Sequence, residues 1–254
     1  MAKVSIKSRQ EVAMMRESGR IVGEVLALMG GRIRPGITTQ ELDILAEEYI
    51  RSQGGVPAFK GYGSDKRNLF PSTLCVSIDD QVVHGFPGPR QLEEGQIVSI
   101  DVGVKKGGYF GDAARSFAVG RVSEEKQRLL QVTEEALMKG IAQAVAGGRL
   151  YDISGAIQEW VEKRGFSVVR DLVGHGIGKN LHEEPAVPNF GTSGTGILLQ
   201  EGMALAIEPM VNAGTYRVTV DTDGWTVRTA DGKPSAHFEH TVIVQSGDAE
   251  ILTR

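Results

Sequence analysis

The chain of 254 residues carries 28 basic against 32 acidic side chains, a formal charge of −4, with 41% hydrophobic residues and one cysteine. Its 24% charged residues are those of an ordinary globular protein and exclude disorder; a pI of ≈ 5.8 argues against a broad nucleic-acid footprint; and Cys75 alone excludes an intrachain disulfide framework and points to a reducing compartment. No run of 18 apolar residues offers a membrane span, since Glu24 interrupts residues 21–29, and residues 1–7 contain no signal-peptide core, so a soluble cytoplasmic protein is expected.

A first helix is predicted from about Arg9 to Met29, where Val12, Met15, Gly19, Val22 and Leu26 recur at three- and four-residue steps on one face. Ser8 with Glu11 reads as its capping box, and Gly30-Gly31 ends it. A second helix begins at Thr38 or Thr39, carries Leu42, Leu45, Ala46, Tyr49 and Ile50 on its face, and stops at Gly54-Gly55. Residues 61–71 read as a loop. Strands are predicted at residues 73–78, 81–84, 97–104 and 108–117, and helices at 123–146 and 151–164. Short strands follow at 203–207, 216–220, 225–229 and 240–244.

An internal repeat organises these elements. Residues 36–54 align without gaps on 147–165, with Leu42 on Ile153, Glu48 on Glu159, Tyr49 on Trp160 and Ile50 on Val161. Residues 92–101 align on 199–208; both read Leu, polar, Glu, Gly, four strand residues, Ile and an acid. Chance similarity between two helix–strand units is the alternative to a true repeat, which reveals architecture directly. A true repeat implies an α+β chain, one unit over 1–254, whose halves (about 6–120 and 121–250) pack about a pseudo-twofold axis. Asp101 and Glu208 would then face each other across it.

Asp101 and Asp112 flank a hairpin signal. With Lys106-Gly107 as a two-residue turn, 105 pairs with 108, 103 with 110, and 101 with 112. Like charges directly opposite each other are destabilising, so one acid is protonated, both are solvated, or a cation lies between them. Glu208 ends the apolar run 203–207, and Glu239 sits in His237-Phe238-Glu239-His240; acids in strands of this polarity are costly to bury unpaired. His175 lies in Gly174-His175-Gly176-Ile177-Gly178, where flanking glycines allow close approach of backbone and ligand. His182 follows in His182-Glu183-Glu184-Pro185, and His84 lies in Val82-Val83-His84-Gly85. A lone histidine is more often structural than a ligand, and His237 and His240 read as ordinary, with His240 facing away from Glu239. Four acids and one imidazole would make an oxygen-rich site for two divalent ions, which can share a bridging water and polarise a carbonyl. Carboxylate ligation favours Mn, Fe or Co over thiolate-type zinc. Cys75 lacks an adjacent base and reads as a small buried hydrophobe.

The motifs Val82-Val83-His84-Gly85, Ile100-Asp101-Val102 with Gly111-Asp112, the His175 and His182 segments, Ile207-Glu208-Pro209, and Phe238-Glu239-His240-Thr241 resemble those of type I methionine aminopeptidases of the short bacterial kind, over about residues 6–244. The resemblance implies the pita-bread fold, an antiparallel sheet flanked by two pairs of helices with pseudo-twofold symmetry. It implies two divalent ions (Co, Mn or Fe), with Asp101 chelating one, Asp112 and Glu239 bridging both, and His175 and Glu208 completing the other. Glu208 would also accept the proton of the attacking metal-bridging water. His182 would contact the scissile carbonyl and His84 the substrate backbone, while Phe70, Cys75 and Trp225 would line a soft-walled methionine pocket. The implied reaction is removal of N-terminal methionine from nascent polypeptides when the second residue is small. The implied protein is a cytoplasmic monomer in transient contact with the ribosome, binding neither membrane nor specific nucleic-acid sequences.

The chain departs from the family pattern at Gly103, where many relatives carry Thr, at Leu172, where an aromatic residue or Met is usual, and at Leu181, which replaces an aromatic pocket residue. Its loop 61–69 is longer than expected. No zinc-finger extension and no type II insertion are expected. Prolidase and aminopeptidase P share the fold and ligand types but usually add an N-terminal domain. A metal-free peptide-binding relative would have lost some of the five ligands.

Overall fold

The computed structural model describes residues 4–254; Met1, Ala2 and Lys3, part of the stretch read as lacking a signal-peptide core, lie outside them. Helix α1 (Arg9–Gly30) starts where the Ser8 N–H donates to the Glu11 carboxylate at 2.8 Å and the Ser8 hydroxyl accepts from the Glu11 N–H. That reciprocal cap satisfies two amides that a helix start leaves without partners. The predicted face of Val12, Met15, Gly19, Val22 and Leu26 is buried. The same box, Thr38 with Glu41, opens α2 (Thr39–Ser52). The first half continues through β1 (Val56–Pro57), β2 (Leu74–Ile78), β3 (Gln81–Val83), β4 (Ile97–Lys106) and β5 (Tyr109–Ala118).

The second half begins with α3 (Glu124–Ile141) and α4 (Leu150–Glu162). Then come β6 (Ser167–Val168), β7 (Gly174–Gly176), β8 (Glu183–Val187), β9 (Ala204–Ile207), β10 (Met210–Asn212), β11 (Val218–Val220) and β12 (Val227–Thr229). The chain finishes with β13 (Ser235–His237), β14 (His240–Ile243) and β15 (Glu250–Ile251). Among the described residues no helix is long and apolar enough to cross a membrane.

Every strand pairing is antiparallel. In the first half β4 takes β1, β2 and β5 as partners; in the second, β9 lies between β7 and β14, and β10 between β6 and β13. The repeat is written in the hydrogen bonds. Gly36 N–H donates to Leu92 and Gly147 N–H to Leu199; Leu92 N–H donates to Ile37 and Leu199 N–H to Gly148; Thr39 N–H donates to Arg90 and Leu150 N–H to Ile197. The pairing Pro57↔Val104 has its counterpart in Val168↔Val211. Each half supplies most of one core, and a third apolar cluster joins them, with Met15, Phe70 and Tyr109 beside Ile177, Ala204 and Ile243. Ile21, Leu42, Ile50, Ile100 and Val102 belong to the first, and Leu129, Ile153, Ile157, Leu205 and Val242 to the second. Full burial of one such side chain contributes about 1.5–3 kcal/mol.

Two expectations are corrected, and one strand joins those expected. The β4–β5 turn uses Gly107-Gly108, both at positive φ (58° and 87°), because a two-residue hairpin turn of this hand needs that conformation twice and glycine adopts it without strain. The register therefore becomes Gly103↔Asp112 and Asp101↔Ala114; the two acids share a face as diagonal neighbours instead of standing opposite. Helix α3 ends at Ile141 rather than 146, since Ala146 N–H leaves to donate to Gln245. Residues 174–176 form a strand despite their glycines. A Cβ on Gly174 would sit 2.4 Å from the Ala206 oxygen, and one on Gly176 would sit 2.2 Å from the Glu184 oxygen, so only glycine lets β7 pass between β8 and β9.

Candidate metal centre

Five strand or strand-edge positions aim at one cavity. Asp101 comes from the middle of β4, Asp112 from β5, His175 from β7, Glu208 from just beyond β9, and Glu239 from just before β14. All five line the same cavity of ≈ 140 Å³. Ligand atoms of Asp112, His175 and Glu239 lie within 4.8 Å of one another. His175 Nε2 stands 3.6 Å from Glu208 Oε1.

Packing four carboxylates here opposes their ionisation. Burial pushes each well above the usual carboxylate range, and neighbouring charge adds to it: Glu208 for Asp101, Asp101 for Asp112, Asp112 for Glu208, and Asp112 first for Glu239. Asp101 Oδ1, Asp112 Oδ1 and Glu239 Oε1 are buried with no hydrogen-bond partner. Buried polar atoms are ordinarily paired. Oxygens in excess, orphaned and mutually repelling, fit a site for hard or borderline divalent cations. The histidine completes that fit. Its Nδ1 lies 2.8 Å from the Gly176 carbonyl, which only accepts, so Nδ1 carries the proton and Nε2 offers a lone pair to the cluster. Burial, and then His182, pushes the His175 pKa down to about 4, which keeps the ring neutral.

Beside the acids the cavity is apolar. Phe59, Phe70, Cys75, Leu181 and Trp225 form its wall, with Tyr62, His84 and His182 also lining it. The whole cavity, acids included, is near the ~150 Å³ that accommodates one benzene-sized group. Phe70 meets Trp225 edge to face at 5.3 Å and Phe59 at 6.3 Å, a geometry that favours fixed rings. Cys75 pairs with Asp101 across β2–β4. Burial, then Asp101 and Asp112, pushes its thiol well up, so it is a wall atom and not a nucleophile. His84 follows β3 at φ 60°, a left-handed conformation costly for a residue with a Cβ. Burial, then His182, brings its pKa down to about 4.

The structure thus brings Asp101, Asp112, His175, Glu208, Glu239, His84, His182, Phe70, Cys75 and Trp225 into one site. It adds Phe59, Tyr62 and His237. The His237 Nε2 is buried without a hydrogen-bond partner, 3.6 Å from Glu208 Oε2. The repeat could have singled it out, because Met210↔His237 is the counterpart of Gly103↔Asp112. Phe59 accounts for Gly103: a Cβ there would come within 2.7 Å of the Phe59 ring. Leu172 packs with Val82, Val83 and Met210. The long loop 61–69 is tied to the hairpin tip, since Trp225 Nε1–H donates to the Asn68 carbonyl at 3.1 Å and the Asn68 amide donates to Asp223 at 3.0 Å.

A family model described as metallopeptidase family M24 matches residues 13–246. A methionine aminopeptidase of Clostridium perfringens is 55% identical over 251 residues, 98% of each chain, and methionine aminopeptidase 1 of Bacillus subtilis is 50% identical over 248 residues, also 98% of each. The crystal structure of a methionine aminopeptidase from Thermotoga maritima superposes with a TM-score of 0.96 at 45% identity, covering 99% of this chain and 100% of that one. A prolidase from Pyrococcus furiosus, at 21% identity and a TM-score of 0.77 over 98% of this chain and 65% of that one, shares the fold.

Proposed function

We propose, for a chain that belongs to metallopeptidase family M24 in its bacterial type I methionine aminopeptidase branch, that five side chains from both halves hold two divalent cations beside a slot for one methionine. The chain is a metallo-exopeptidase that removes N-terminal methionine by hydrolysis. In this reading Asp101 would hold one ion, Asp112 and Glu239 would serve both, and His175 and Glu208 would complete the second. Bound there, Co, Mn or Fe would supply Lewis acidity toward the scissile carbonyl and lower the pKa of a water.

The side chains do the rest. Phe70, Cys75 and Trp225, with Phe59 and Leu181, receive the unbranched thioether, which adapts well to such walls. The acid cluster draws the substrate's α-ammonium, which restricts cleavage to a free N-terminus. Glu208 accepts the proton released by the attacking water. His182 donates to the carbonyl oxygen as negative charge develops on it, and His84 donates to the substrate backbone beside the scissile amide. Both rings serve as neutral donors because burial holds their pKa values below the ordinary one.

The observation that carries this reading is the set of buried carboxylate oxygens without partners, next to an apolar slot of side-chain size. The substrates are nascent chains whose second residue is small, met in the cytoplasm through transient contact with the ribosome. One chain, with its halves at about 6–120 and 121–250, acts as a monomeric catalytic unit. The test is metal content after anaerobic purification together with turnover of a Met-Ala-Ser peptide. Two ions per chain and release of free methionine support the reading. Full activity with a single ion would overturn the dinuclear part. Cleavage confined to X-Pro peptides, or peptide binding without metal, would overturn the substrate and the metal assignments respectively.

A further inference from the structure

His175 and His182 meet edge to face with ring centroids 4.3 Å apart, yet their Nδ1 atoms have chemically opposite partners. The partner of His175 Nδ1 is a carbonyl oxygen, which fixes a proton on Nδ1 and a lone pair on Nε2. The partner of His182 Nδ1 is the Tyr62 hydroxyl. Among the described residues that phenol has no other hydrogen-bond partner. A phenol keeps its proton at neutral pH and is a stronger acid than a neutral imidazole N–H, so the hydroxyl donates and the ring nitrogen accepts. The ring proton is thereby left on Nε2.

We propose that Tyr62 is a positioning residue that holds His182 in the Nε2–H tautomer, so that this imidazole presents a donor and not a lone pair to the site. The assignment rests on the reading that His182 donates to the substrate carbonyl. It also explains how two neighbouring histidines take different roles beside the same acids: one offers a lone pair to a cation, and the other is kept from doing so. The position of Tyr62 is well fixed. Its N–H donates to Phe59 and its carbonyl accepts from Phe70, both at 2.8 Å, and Gly61 N–H donates to Phe70 at 2.8 Å. These bonds close the base of the loop, and the Tyr62 ring packs edge-on to His182 at 5.2 Å.

The test is ¹⁵N NMR of the enzyme labelled at its histidines and loaded with diamagnetic Zn(II), with His182 assigned from the His182→Ala spectrum. The expected wild-type pattern is a protonated Nε2 and an unprotonated Nδ1 on His182. In Tyr62→Phe, which keeps the ring and removes the hydroxyl, the two tautomers should mix. Its kcat on Met-Ala-Ser should fall about tenfold, less than the 10²–10³ that follows loss of a transition-state donor outright, with KM within about twofold of wild type. A wild-type His182 protonated on Nδ1 overturns the proposal without any variant. So does a Tyr62→Phe enzyme that keeps both the tautomer and the kcat. Wild-type turnover by His182→Ala would instead remove the donor reading on which the proposal rests.

Discussion

Strand β4 runs unbroken from Ile97 to Lys106, whereas its counterpart is cut by Glu208-Pro209 into β9 and β10. In the first half Asp101 sits in a continuous ladder, flanked by Cys75 on β2 and Ala114 on β5. In the second, Pro209 has no N–H to give, and the Glu208 carbonyl is held by the Asn189 side chain, which donates at 3.0 Å. Neighbouring strands differ as well. Ser77↔Ser99 becomes His175↔Ala206, and Gly103↔Asp112 becomes Met210↔His237. Of the five proposed ligands only Asp101 and Glu208 are counterparts in the repeat. The two halves share a pattern of pairing and hydrogen bonds, but their proposed ligands stand at unequal positions.

The strongest way to break this comparison is to substitute the counterpart positions Asp112 and His237 one at a time. Asp112→Asn removes a proposed bridging carboxylate while keeping its shape, and turnover of Met-Ala-Ser should fall by more than about a hundredfold. His237→Gln alters only a group behind Glu208, so its cost should stay within the roughly 10–100-fold typical of residues that orient ligands. Equal losses at the two positions would mean that the halves contribute symmetrically, contrary to the ligand assignment.

Metal removal separates scaffold from site. Two large apolar cores are buried in the fold, so chelated protein should still unfold cooperatively. A cation at a hundred times its Kd stabilises by about 2.7 kcal/mol, which for a chain of this size raises Tm by roughly 5–10 °C. A chelated protein without a cooperative transition would show that the cores alone do not hold the halves. The break at Pro209 offers a smaller test. Asn189→Leu leaves the Glu208 carbonyl unpaired, at an expected loss of about 1–3 kcal/mol in urea unfolding. An unchanged midpoint would remove Asn189 from the account of how Glu208 is held.

Helices were legible in the sequence where local chemistry decides them. The boxes at Ser8 and Thr38 and the apolar face of α1 stand where the spacing predicted them. The repeat was legible too, because it preserves glycines and acids at matching positions. Short strands whose existence depends on distant partners were not. Strand β7 consists of Gly174, His175 and Gly176, with little intrinsic preference for a sheet, and it forms because β8 and β9 press on both sides. Four of the five proposed ligands stood out as acids in or beside apolar strands, and His175 by its flanking glycines. Tyr62 and Phe59 did not, since a tyrosine in a polar loop and a phenylalanine just past the two-residue strand β1 carry no periodic signal. The Asp101–Asp112 register was misjudged by the turn, where two adjacent glycines displace Lys106-Gly107.

The starts of α2 and α4 allow the finest comparison. At α2 the box is complete: the Thr38 hydroxyl accepts from the Glu41 N–H at 3.2 Å, and the Glu41 carboxylate accepts from the Thr38 N–H at 2.8 Å. At α4 Asp152 accepts from the Arg149 N–H at 2.7 Å, but a guanidinium has no acceptor to return. Thr38→Ala should therefore cost about 1 kcal/mol, and Arg149→Thr should gain about 0.5–1 kcal/mol, both read from urea midpoints. The Ser193 hydroxyl first, then the Arg149 and Gly194 amides, hold the Asp152 carboxyl below its usual range. A folded value below the unfolded one contributes fully above the unfolded pKa of about 3.9 and is lost as pH falls through the lower folded value. The Asp152→Asn variant should thus be less stable than wild type at neutral pH, by a modest margin because solvent screens the group. That margin should narrow as the pH drops below about 4. A margin that keeps its size would assign the effect to the shape of the Ser193–Gly194 turn and not to the charge on Asp152.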